Sequence, residues 1–488
     1  MAPPRFPRVA SIKTVAALRA HLAAHAIDLP LDDAIEPSAE SALARALAID
    51  EVQVGNRFCV LPMEGWDGEL DGRPSDFTRR RWQRFGQSGA KLIWGGEAVA
   101  VRHDGRASPN QLQMNAATQP AIAALRDALI ASHRERFGAN ADRDLFIGLQ
   151  LTHSGRFAKP NASDRPEPKT ACVNPVLDRR FKGTPHVLTD EELDRLVDDF
   201  VEAARRADAC GFDFVDVKQC HGYLGHELLG ARNREGRYGG SAENRFRWVR
   251  TVIQAIQAAV PRLKIGVRLS AIDLGPYRKD ADNVGEPEPL DATSALAGFG
   301  VVSNGDLDRA LDEPRALLRE LSALGVRWIC VTAGSPYYVP HVTRPAFFPP
   351  ADGYLPPEDP LHGVARQIHT TARLKAAFPN LLFVGSGYSY LQEFLPHVGQ
   401  YAVREGLTDF VGLGRVMLSY PDLPADVLAG RPLARGLVCR TFSDCTTGPR
   451  MGMRSGCYPL DEFYKQKPEA AQILKVRTAM TAAAREEA

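Results

Sequence analysis

The sequence has no excess of charge of either sign. Among its 488 residues, 60 lysines and arginines stand against 59 aspartates and glutamates, which leaves a formal net charge of +1. Such a balance provides no general attraction to nucleic acid or to an anionic membrane surface. We therefore expect no nucleic-acid partner and no membrane partner, and we expect a small-molecule substrate.

Cysteine is sparse and scattered, with eight residues in the whole chain at positions 59, 172, 210, 220, 330, 439, 445 and 457. In a chain of this length such spacing does not indicate a disulfide framework, and it favours a reducing compartment. Long hydrophobic runs are also missing, and residues 1–26 contain basic residues without an apolar stretch before a small-residue cleavage site. We predict no secretory signal, no transmembrane span and a cytoplasmic protein.

Eight short apolar runs recur from residue 57 onward, and longer amphipathic segments separate them. Several runs are apolar at successive positions, which is typical of parallel strands covered on both faces. The pattern predicts an α/β protein, a (β/α)8 TIM barrel in which right-handed crossovers return each strand beside the last. The predicted strands are 57–63, 91–101, 144–152, 212–218, 264–270, 327–333, 381–385 and 409–414.

The chain divides into three predicted parts. Residues 1–45 form an Ala-rich N-terminal helical extension, residues 46–432 form the barrel, and residues 433–488 form a short C-terminal tail that contains cysteine. Two connections within the barrel, 271–305 and 334–361, are too long for simple turns and follow carboxyl ends of strands. We expect them to be lids or pocket walls, with surface insertion as the alternative. Tyr337 and Tyr338 in the second connection are predicted to line a substrate pocket.

Glycines close the last two predicted strands. Gly385 and Gly387 end the seventh, and Gly414 precedes Arg415 at the end of the eighth. Glycines there let backbone N–H groups approach an anion, and a guanidinium adds charge and a fork of donors. Because barrels of this kind often hold phosphate after strands seven and eight, we predict a phosphate site. Tight strand-to-helix turns are the alternative explanation.

Lys218, His221 and Tyr223 follow the fourth predicted strand, where side chains emerge over the mouth of a barrel. A single histidine there is more often structural. Three donor groups together indicate a site that binds and protonates an oxygen or an unsaturated carbon.

The segment 218–245 carries the motif HGYL, followed by N-R-x-x-x-Y-G-G-S-x-E-N-R at 233–245. On these residues it resembles the old yellow enzyme, or NADH:flavin oxidoreductase, superfamily. The likeness continues through 56–63, 148–156, 266–270 and 409–424, and so covers nearly the whole barrel. It implies bound FMN, with hydride passing from NAD(P)H to the flavin and then from flavin N5 to an electrophilic substrate.

The resemblance also assigns roles to individual residues. Tyr223 would protonate the substrate, and His221 with Lys218 would bind its activating oxygen. Arg268 would lie near flavin N1 and O2, where a cation stabilises reduced flavin. The other flavin-binding positions are Pro62, Met63, Glu64, Ala98 and Gln150, with Gly385, Gly387, Gly414 and Arg415 at the phosphate.

Two site positions depart from the family pattern. Lys218 replaces the first histidine of the substrate-binding pair, which puts an ammonium group where the family has a neutral donor. Glu64 occupies a position where many members have threonine or cysteine beside the flavin. An acid there should oppose flavin reduction unless it is protonated or paired, and Lys218 is the expected partner.

The tail is the third departure. Within the superfamily the chain is most similar to the branch of 2,4-dienoyl-CoA reductase and trimethylamine dehydrogenase, which carry four cysteines for a [4Fe–4S] cluster after the barrel. Here Cys439, Cys445 and Cys457 remain, and Phe442 stands where a further ligand is needed. Three thiolates are one short of a standard cluster. We predict a degenerate Fe–S motif that binds no metal, and no second nucleotide-binding domain, because no GxGxxG follows a strand.

The leading hypothesis is therefore an FMN-dependent, NAD(P)H-using oxidoreductase that reduces an activated C=C bond, an ene-reductase. The alternative is an FMN-dependent amine dehydrogenase or demethylase, which the altered residues Lys218 and Glu64 favour. A non-catalytic flavin-binding protein is a third hypothesis, and Tyr223 argues against it because a pure binder needs no proton donor. The sequence leaves open whether the chain forms a homo-oligomer.

Overall fold

Eight parallel strands, one of them in two pieces, close into a barrel. The computed structural model describes residues 6–38, 40–295, 297–302 and 305–486. Residues 1–5 of the predicted extension and residues 303–304 of the long connection lie outside the described residues. The strands are β1 (Phe58–Val60), β2 in two pieces (Leu92–Ile93 and Ala98–Ala100), β3 (Phe146–Thr152), β4 (Phe214–Val217), β5 (Lys264–Ile272), β6 (Trp328–Ala333), β7 (Leu382–Gly385) and β8 (Phe410–Leu413).

Each strand pairs in parallel with the next one along the chain, and β8 pairs with β1 to close the ring, with Val411 opposite Phe58. The predicted (β/α)8 barrel is confirmed. The second strand was predicted as one continuous run, 91–101, but it forms two separate pieces. Gly95 and Gly96 have φ values of 147° and 50°, and they break the strand between its two pieces. A Cβ on Gly95 would meet the backbone nitrogen of Gln150 at 2.8 Å, so this close approach requires glycine.

Helices surround the barrel and cover the outer faces of its strands. The longer ones are Val15–Ala24, Asp76–Gln87, Gln119–Phe137, Asp190–Ala209, Ala242–Ala259, Asp312–Ala323, Pro360–Ala377, Leu395–Arg404 and Pro468–Glu486. Short helices that shape the site include Leu224–Gly230, Pro340–Thr343, Val416–Ser419 and Asp444–Arg450. No helix in the described ranges is long and apolar enough to cross a bilayer.

Aromatic side chains fill one end of the barrel. Phe146, Phe214, Trp328 and Phe410 stand at the beginnings of β3, β4, β6 and β8, and they pack in one buried cluster. The rings of Phe146 and Phe214 stack with their centroids 4.9 Å apart. This packing closes the amino end of the barrel, so the opposite end, where the strands finish, is the one that can hold a ligand.

The two flanking segments pack against the barrel and do not stand apart from it. Leu18 and Leu22 of the extension, and Val438 and Cys439 of the tail, belong to the main hydrophobic core. Asp32 of the extension also pairs with Arg404 on the outer helix Leu395–Arg404. The extension and the start of the tail therefore share the core of the barrel, whereas Tyr458, Tyr464 and Ile473 of the tail form a small cluster of their own. The boundaries at 45 and 433 stay predictions.

Candidate active site

The carboxyl ends of the strands surround a cleft with a volume of about 240 Å³. It lies at the end of the barrel opposite the aromatic cluster. The residues predicted from the sequence that line this cleft are Pro62, Met63, Glu64, Gln150, Lys218, His221, Tyr223, Arg268, Gly387, Gly414, Arg415 and Tyr337.

A buried aspartate holds the polar floor of the cleft in place. Asp216 of β4 accepts hydrogen bonds from Gln150 Nε2 at 2.5 Å, from Trp94 Nε1 at 2.8 Å and from the backbone nitrogen of Arg268 at 2.7 Å. Burial raises the pKa of Asp216 to about 6, although these donors favour its charged form. Because Asp216 takes the amide N–H of Gln150, the carbonyl oxygen of Gln150 remains to accept from a ligand.

Arg268 extends from β5 into the same floor. Its Nη1 donates to the carbonyl oxygen of Pro62 at 3.2 Å, and its Nε is buried without a hydrogen-bond partner in the described part of the chain. Nearby thiols and Asp216 favour the charged form, and they keep the pKa of this guanidinium above its ordinary value despite burial. The floor therefore carries a permanent positive charge with unused donor capacity.

Glu64 is the centre of a hydrogen-bonded network in the cleft. Its carboxylate accepts from Lys218 Nζ, from the Tyr223 hydroxyl, and from Trp66 Nε1 at 3.2 Å. The Lys218 side chain is almost completely buried, with 1% exposure, so its charge requires a partner inside the protein. The expected pairing of Glu64 with Lys218 is present in the structure.

Tyr223 joins this network to the long connection after β6. Its hydroxyl lies 2.8 Å from the hydroxyl of Tyr337, whose ring stacks on Phe157 with centroids 4.0 Å apart. Burial raises the pKa of Tyr223 well above its ordinary value, and the neighbouring Glu64 carboxylate raises it further. The phenol therefore keeps its proton throughout the neutral pH range.

His221 reaches the cleft from an unusual backbone conformation. Its φ is 69°, and its backbone is held by two hydrogen bonds: its N–H donates to Ser270 Oγ at 3.0 Å, and its carbonyl accepts from Ser335 Oγ at 2.6 Å. Left-handed backbone at a histidine is uncommon and is tolerated where surrounding contacts fix it. Burial and the cations Arg268 and Lys218 lower its pKa well below the ordinary value, so the imidazole is neutral at pH 7.

Two arginines without acidic partners mark the other end of the cleft. Arg415 donates through Nη2 to the carbonyl oxygen of Pro345 at 2.6 Å, while its Nη1 is buried without a partner in the described residues. Arg344 lies beside it and forms no ion pair within those residues. Burial and the charge of Arg415 lower the pKa of Arg344 to about 10. Two adjacent cations in a partly buried site favour a bound anion.

Glycines leave space beside these arginines. A Cβ on Gly414 would meet nothing within 4 Å, and Gly387 adopts a φ of 96° at the turn after β7. The Gly414 N–H donates to Ser389 Oγ at 3.3 Å. This end of the cleft therefore combines positive charge with open space close to the backbone, which suits a phosphate group.

Three predicted site residues do not line the cleft. The carbonyl of Ala98 accepts a hydrogen bond from Gln111 Nε2 at 3.0 Å, because the second piece of β2 runs beside residues 111–113. The N–H of Gly385 donates to Thr408 Oγ1 at 3.1 Å, within the sheet. The Tyr338 hydroxyl donates to Asp273 Oδ2 at 2.6 Å, and this residue lines an adjacent hollow, whereas its neighbour Tyr337 faces the cleft.

Residues 43–295 match the profile of the NADH:flavin oxidoreductase / NADH oxidase family, which is just over half of the chain. The chain belongs to this family. Among its relatives, 12-oxophytodienoate reductase 1 of Oryza sativa subsp. japonica is 28% identical over 324 residues, covering 65% of this chain and 69% of the relative. The NADPH dehydrogenase of Bacillus velezensis is 31% identical over 246 residues, covering 49% and 66%. The NADH oxidase of Thermoanaerobacter brockii is 26% identical over 346 residues, covering 68% and 45%.

Solved structures of similar proteins share the fold of this flavin oxidoreductase. A 2-naphthoyl-CoA reductase, in complex with 2-naphthoyl-CoA, aligns with a TM-score of 0.64 over 87% of this chain and 57% of its own. The old yellow enzyme homologue of Zymomonas mobilis aligns at 0.56 over 82% and 96%. Histamine dehydrogenase of Rhizobium sp. 4-9 aligns at 0.59 over 85% and 51%. All three are 19% identical, so the likeness concerns the fold, and the chain spans little more than half the length of two of them.

Sequence reasoning missed several residues that build the site of this family member. Arg344, Arg450 and Trp66 line the cleft, and Asp216 orients its floor. A signal for Asp216 was present, because it is the one acid within the otherwise apolar strand Phe214–Val217. The position of Arg344 depends on how the 334–361 connection folds over the cleft, which no periodic pattern reveals.

The cysteine tail also reaches the site. Cys445 lines the cleft beside Arg344, whereas Cys439 and Cys457 are buried nearby. Burial raises the pKa of Cys439, which disfavours the thiolate that a metal requires. Phe442 stacks on Phe348, with ring centroids 5.6 Å apart. Within the described residues no group of three or more histidine, cysteine or acidic side chains is arranged to hold a metal ion. That the tail carries no cluster stays a prediction.

Proposed function

We propose that this chain is an FMN-dependent oxidoreductase that uses NAD(P)H to reduce an activated C=C bond. The observation that carries the proposal is the buried, protonated Tyr223 hydroxyl, which lies in the same cleft as the neutral His221 ring and as Arg415, whose Nη1 has no partner among the described residues. An acid, a neutral hydrogen-bond donor and an anion site along one cleft match the needs of reduction next to a carbonyl group.

The orphaned polar atoms of the cleft fit FMN. Arg415 with Arg344 would hold the phosphate beside Gly387 and Gly414. The carbonyl oxygen of Gln150 would accept from the pyrimidine edge of the ring, and Arg268 would supply positive charge there, next to Pro62 and Met63. When bound, FMN supplies two-electron transfer between a nicotinamide and an electrophilic substrate.

His221 would donate a hydrogen bond to the carbonyl oxygen of the substrate. The low pKa of His221 keeps its ring neutral, so one ring nitrogen carries a proton that it can donate. Lys218 lines the same cleft, but its ammonium is already paired with Glu64. We therefore assign the direct contact with the oxygen to His221, and electrostatic support to Lys218.

Tyr223 would deliver the proton to the substrate carbon. Its hydroxyl donates to the Glu64 carboxylate and lies 2.8 Å from the Tyr337 hydroxyl, and the Lys218 ammonium lies 3.8 Å from the centroid of its ring. As the proton leaves, negative charge develops on the phenol oxygen. The nearby ammonium offsets that charge, and Tyr337 can donate to the same oxygen.

Amine oxidation is the second candidate function. The observation that favours it is Glu64, a carboxylate within the cleft beside the Trp66 indole, where an ammonium substrate could bind. Pairing of Glu64 with Lys218 counts against it, because a cationic substrate would have to displace or deprotonate that lysine.

Anaerobic half-reactions test the proposal. We expect NADH or NADPH to bleach the flavin absorbance of the purified protein, and an enone such as 2-cyclohexenone to restore it. Bleaching by an amine, with no response to either nicotinamide, would replace the proposed function with amine oxidation. A flavin that responds to neither class would contradict both.

A further inference from the structure

A second hollow lies against the cleft and plays no part in the chemistry described above. Its volume is about 450 Å³, and Pro336, Tyr337 and Arg450 line both spaces. Tyr337, which contacts the Tyr223 hydroxyl on one side, therefore forms part of the wall of the hollow on the other. A ligand with its reactive end in the cleft could continue directly into this hollow.

The hollow is strongly basic. Five cationic side chains line it against two acids, Glu288 and Asp352, and the cations are Arg179, Arg180, Arg278, Lys279 and Arg450. Both acids are already neutralised, since Glu288 pairs with Arg180 and Asp352 pairs with Arg450 at 2.6 Å. In a chain with a net charge of only +1, this concentration of positive charge is local and directed at one space.

Two of the cations have no close partner among the described residues. The side chains of Arg179 and Lys279 form no hydrogen bond or ion pair with those residues, and both are exposed, although Arg179 also interacts at longer range with the carboxylate of Asp291. Arg278 pairs outside the hollow with Glu286 at 2.8 Å. A guanidinium and an ammonium group lining the same hollow are suited to phosphate oxygens.

Aromatic rings provide the apolar part of the same hollow. Tyr277, Tyr338 and Tyr354 line it, and the rings of Tyr277 and Tyr354 lie with their centroids 6.0 Å apart. Flat rings next to cations are the combination on which a base and its phosphates can both be held. The hairpin formed by Tyr277–Lys279 and Gly285–Pro287 supplies one wall, so the long connection after β5 gains a role.

We propose that this hollow binds the nucleoside diphosphate portion of a ligand whose reactive end enters the cleft. The inference rests on the proposed function and extends it to the class of ligand. Two sources have this chemistry: the reducing nicotinamide dinucleotide, and an acyl substrate carried as a coenzyme A thioester. The hollow recognises the portion that the two share.

Direct binding of ADP tests the hollow without any turnover. The test variant is Arg179→Gln/Lys279→Gln, and the matched control is Arg143→Gln/Arg195→Gln, which removes the same charge from exposed arginines elsewhere. We expect calorimetry to show ADP binding to the wild-type and control proteins, weakened about 10-fold or more in the test variant because phosphate loses two charged partners. Equal affinity in the test and control variants would overturn the proposal, whatever the fate of the proposed redox reaction.

Two kinetic arms distinguish the sources. In the first, flavin reduction by NADPH or NADH is compared with reduction by 1-benzyl-1,4-dihydronicotinamide, which has no phosphates. In the second, reoxidation by crotonyl-CoA is compared with reoxidation by crotonyl-N-acetylcysteamine. In each arm we take the ratio of the rate with the nucleotide-containing compound to the rate with its analogue. The arm in which this ratio falls about 10-fold or more in the test variant identifies the ligand. If neither ratio changes relative to the control variant, the hollow does not serve either ligand and the proposal fails.

Discussion

At the scale of single residues, the proposed reaction depends on which side chains in the cleft hold protons and which hold charges. Glu64 places a carboxylate in the cleft, and the structure compensates for it with the buried ammonium of Lys218 and the hydroxyl of Tyr223. The negative charge is therefore neutralised locally. With flavin bound beside Glu64 as proposed, this arrangement would limit how far the acid opposes flavin reduction.

The role of Tyr223 can be separated from flavin binding by a single change. Tyr223→Phe removes the proton and leaves the ring, so reduction of the flavin by a nicotinamide should continue at nearly the wild-type rate. Reoxidation by an enone should slow on the order of 100-fold or more, the usual contribution of a positioned general acid. Stopped-flow absorbance measures the two half-reactions separately. Equal slowing of both would show that Tyr223 only supports the fold of the site.

Substitutions of Lys218 and of Glu64 should change the affinity for an anionic ligand in opposite directions. A phenol bound as its phenolate should bind more weakly to Lys218→Met, by on the order of 10-fold or more, because a buried cation is lost. It should bind more tightly to Glu64→Gln, in which Lys218 keeps its charge and loses its internal partner. Titration of the charge-transfer absorbance that phenolates give over flavin measures both affinities. A loss of affinity in both variants would mean that the pair acts only as a structural unit.

Arg415 Nη1 is buried without a partner among the described residues, and a bound phosphate would satisfy it. Arg415→Ala should therefore weaken FMN binding by about 2–4 kcal/mol, the cost of losing a desolvated charge partner of phosphate. Flavin retention during dialysis, followed by fluorescence of the released cofactor, measures the effect. The exposed Arg195→Ala serves as the control and should retain flavin as the wild type does. Unchanged retention in Arg415→Ala would place the phosphate elsewhere.

At the scale of elements, the strands were predictable because a parallel barrel imposes one simple pattern. Each strand is buried on both faces, so each appears as a short apolar run between amphipathic segments. The break in β2 was not predictable in this way, since the close approach of Gln150 at Gly95 and of the Trp82 ring at Gly96 comes from tertiary packing. The connections after β5 and β6 were recognised by their length, but not the positions of Arg344 or Tyr338 within them.

The prediction for the C-terminal tail rests on its sequence. Phe442 stands where the resemblance implies a fourth cluster ligand, and its ring stacks on that of Phe348. We predict near-zero iron and acid-labile sulfide in protein purified without oxygen. Elemental analysis and the absorbance beyond the flavin bands measure this. Stoichiometric iron would contradict the prediction and would point to electron transfer through Cys439, Cys445 and Cys457.

At the scale of the whole molecule, the extension and the start of the tail contribute to the main hydrophobic core of the barrel, and the cleft lies at the carboxyl ends of the strands. Amphipathic patterning predicted the helix of the extension, yet it could not show that Leu18 and Leu22 pack into the same core as the barrel. The resemblance of the motifs predicted most of the cleft, because the residues that carry it lie at the carboxyl ends of the strands. The basic hollow beside the cleft was not predictable, since its cations come from segments far apart in the sequence.

The central claim is that the cleft exists to hold FMN, and the cofactor content of the purified protein tests it most directly. The protein should be yellow, and heat should release a chromophore that chromatography identifies as FMN, close to one per chain. That result would agree with the unpaired arginines at one end of the cleft and with Gln150 and Arg268 at the other. Release of FAD, or a protein that neither contains nor binds flavin, would contradict the account.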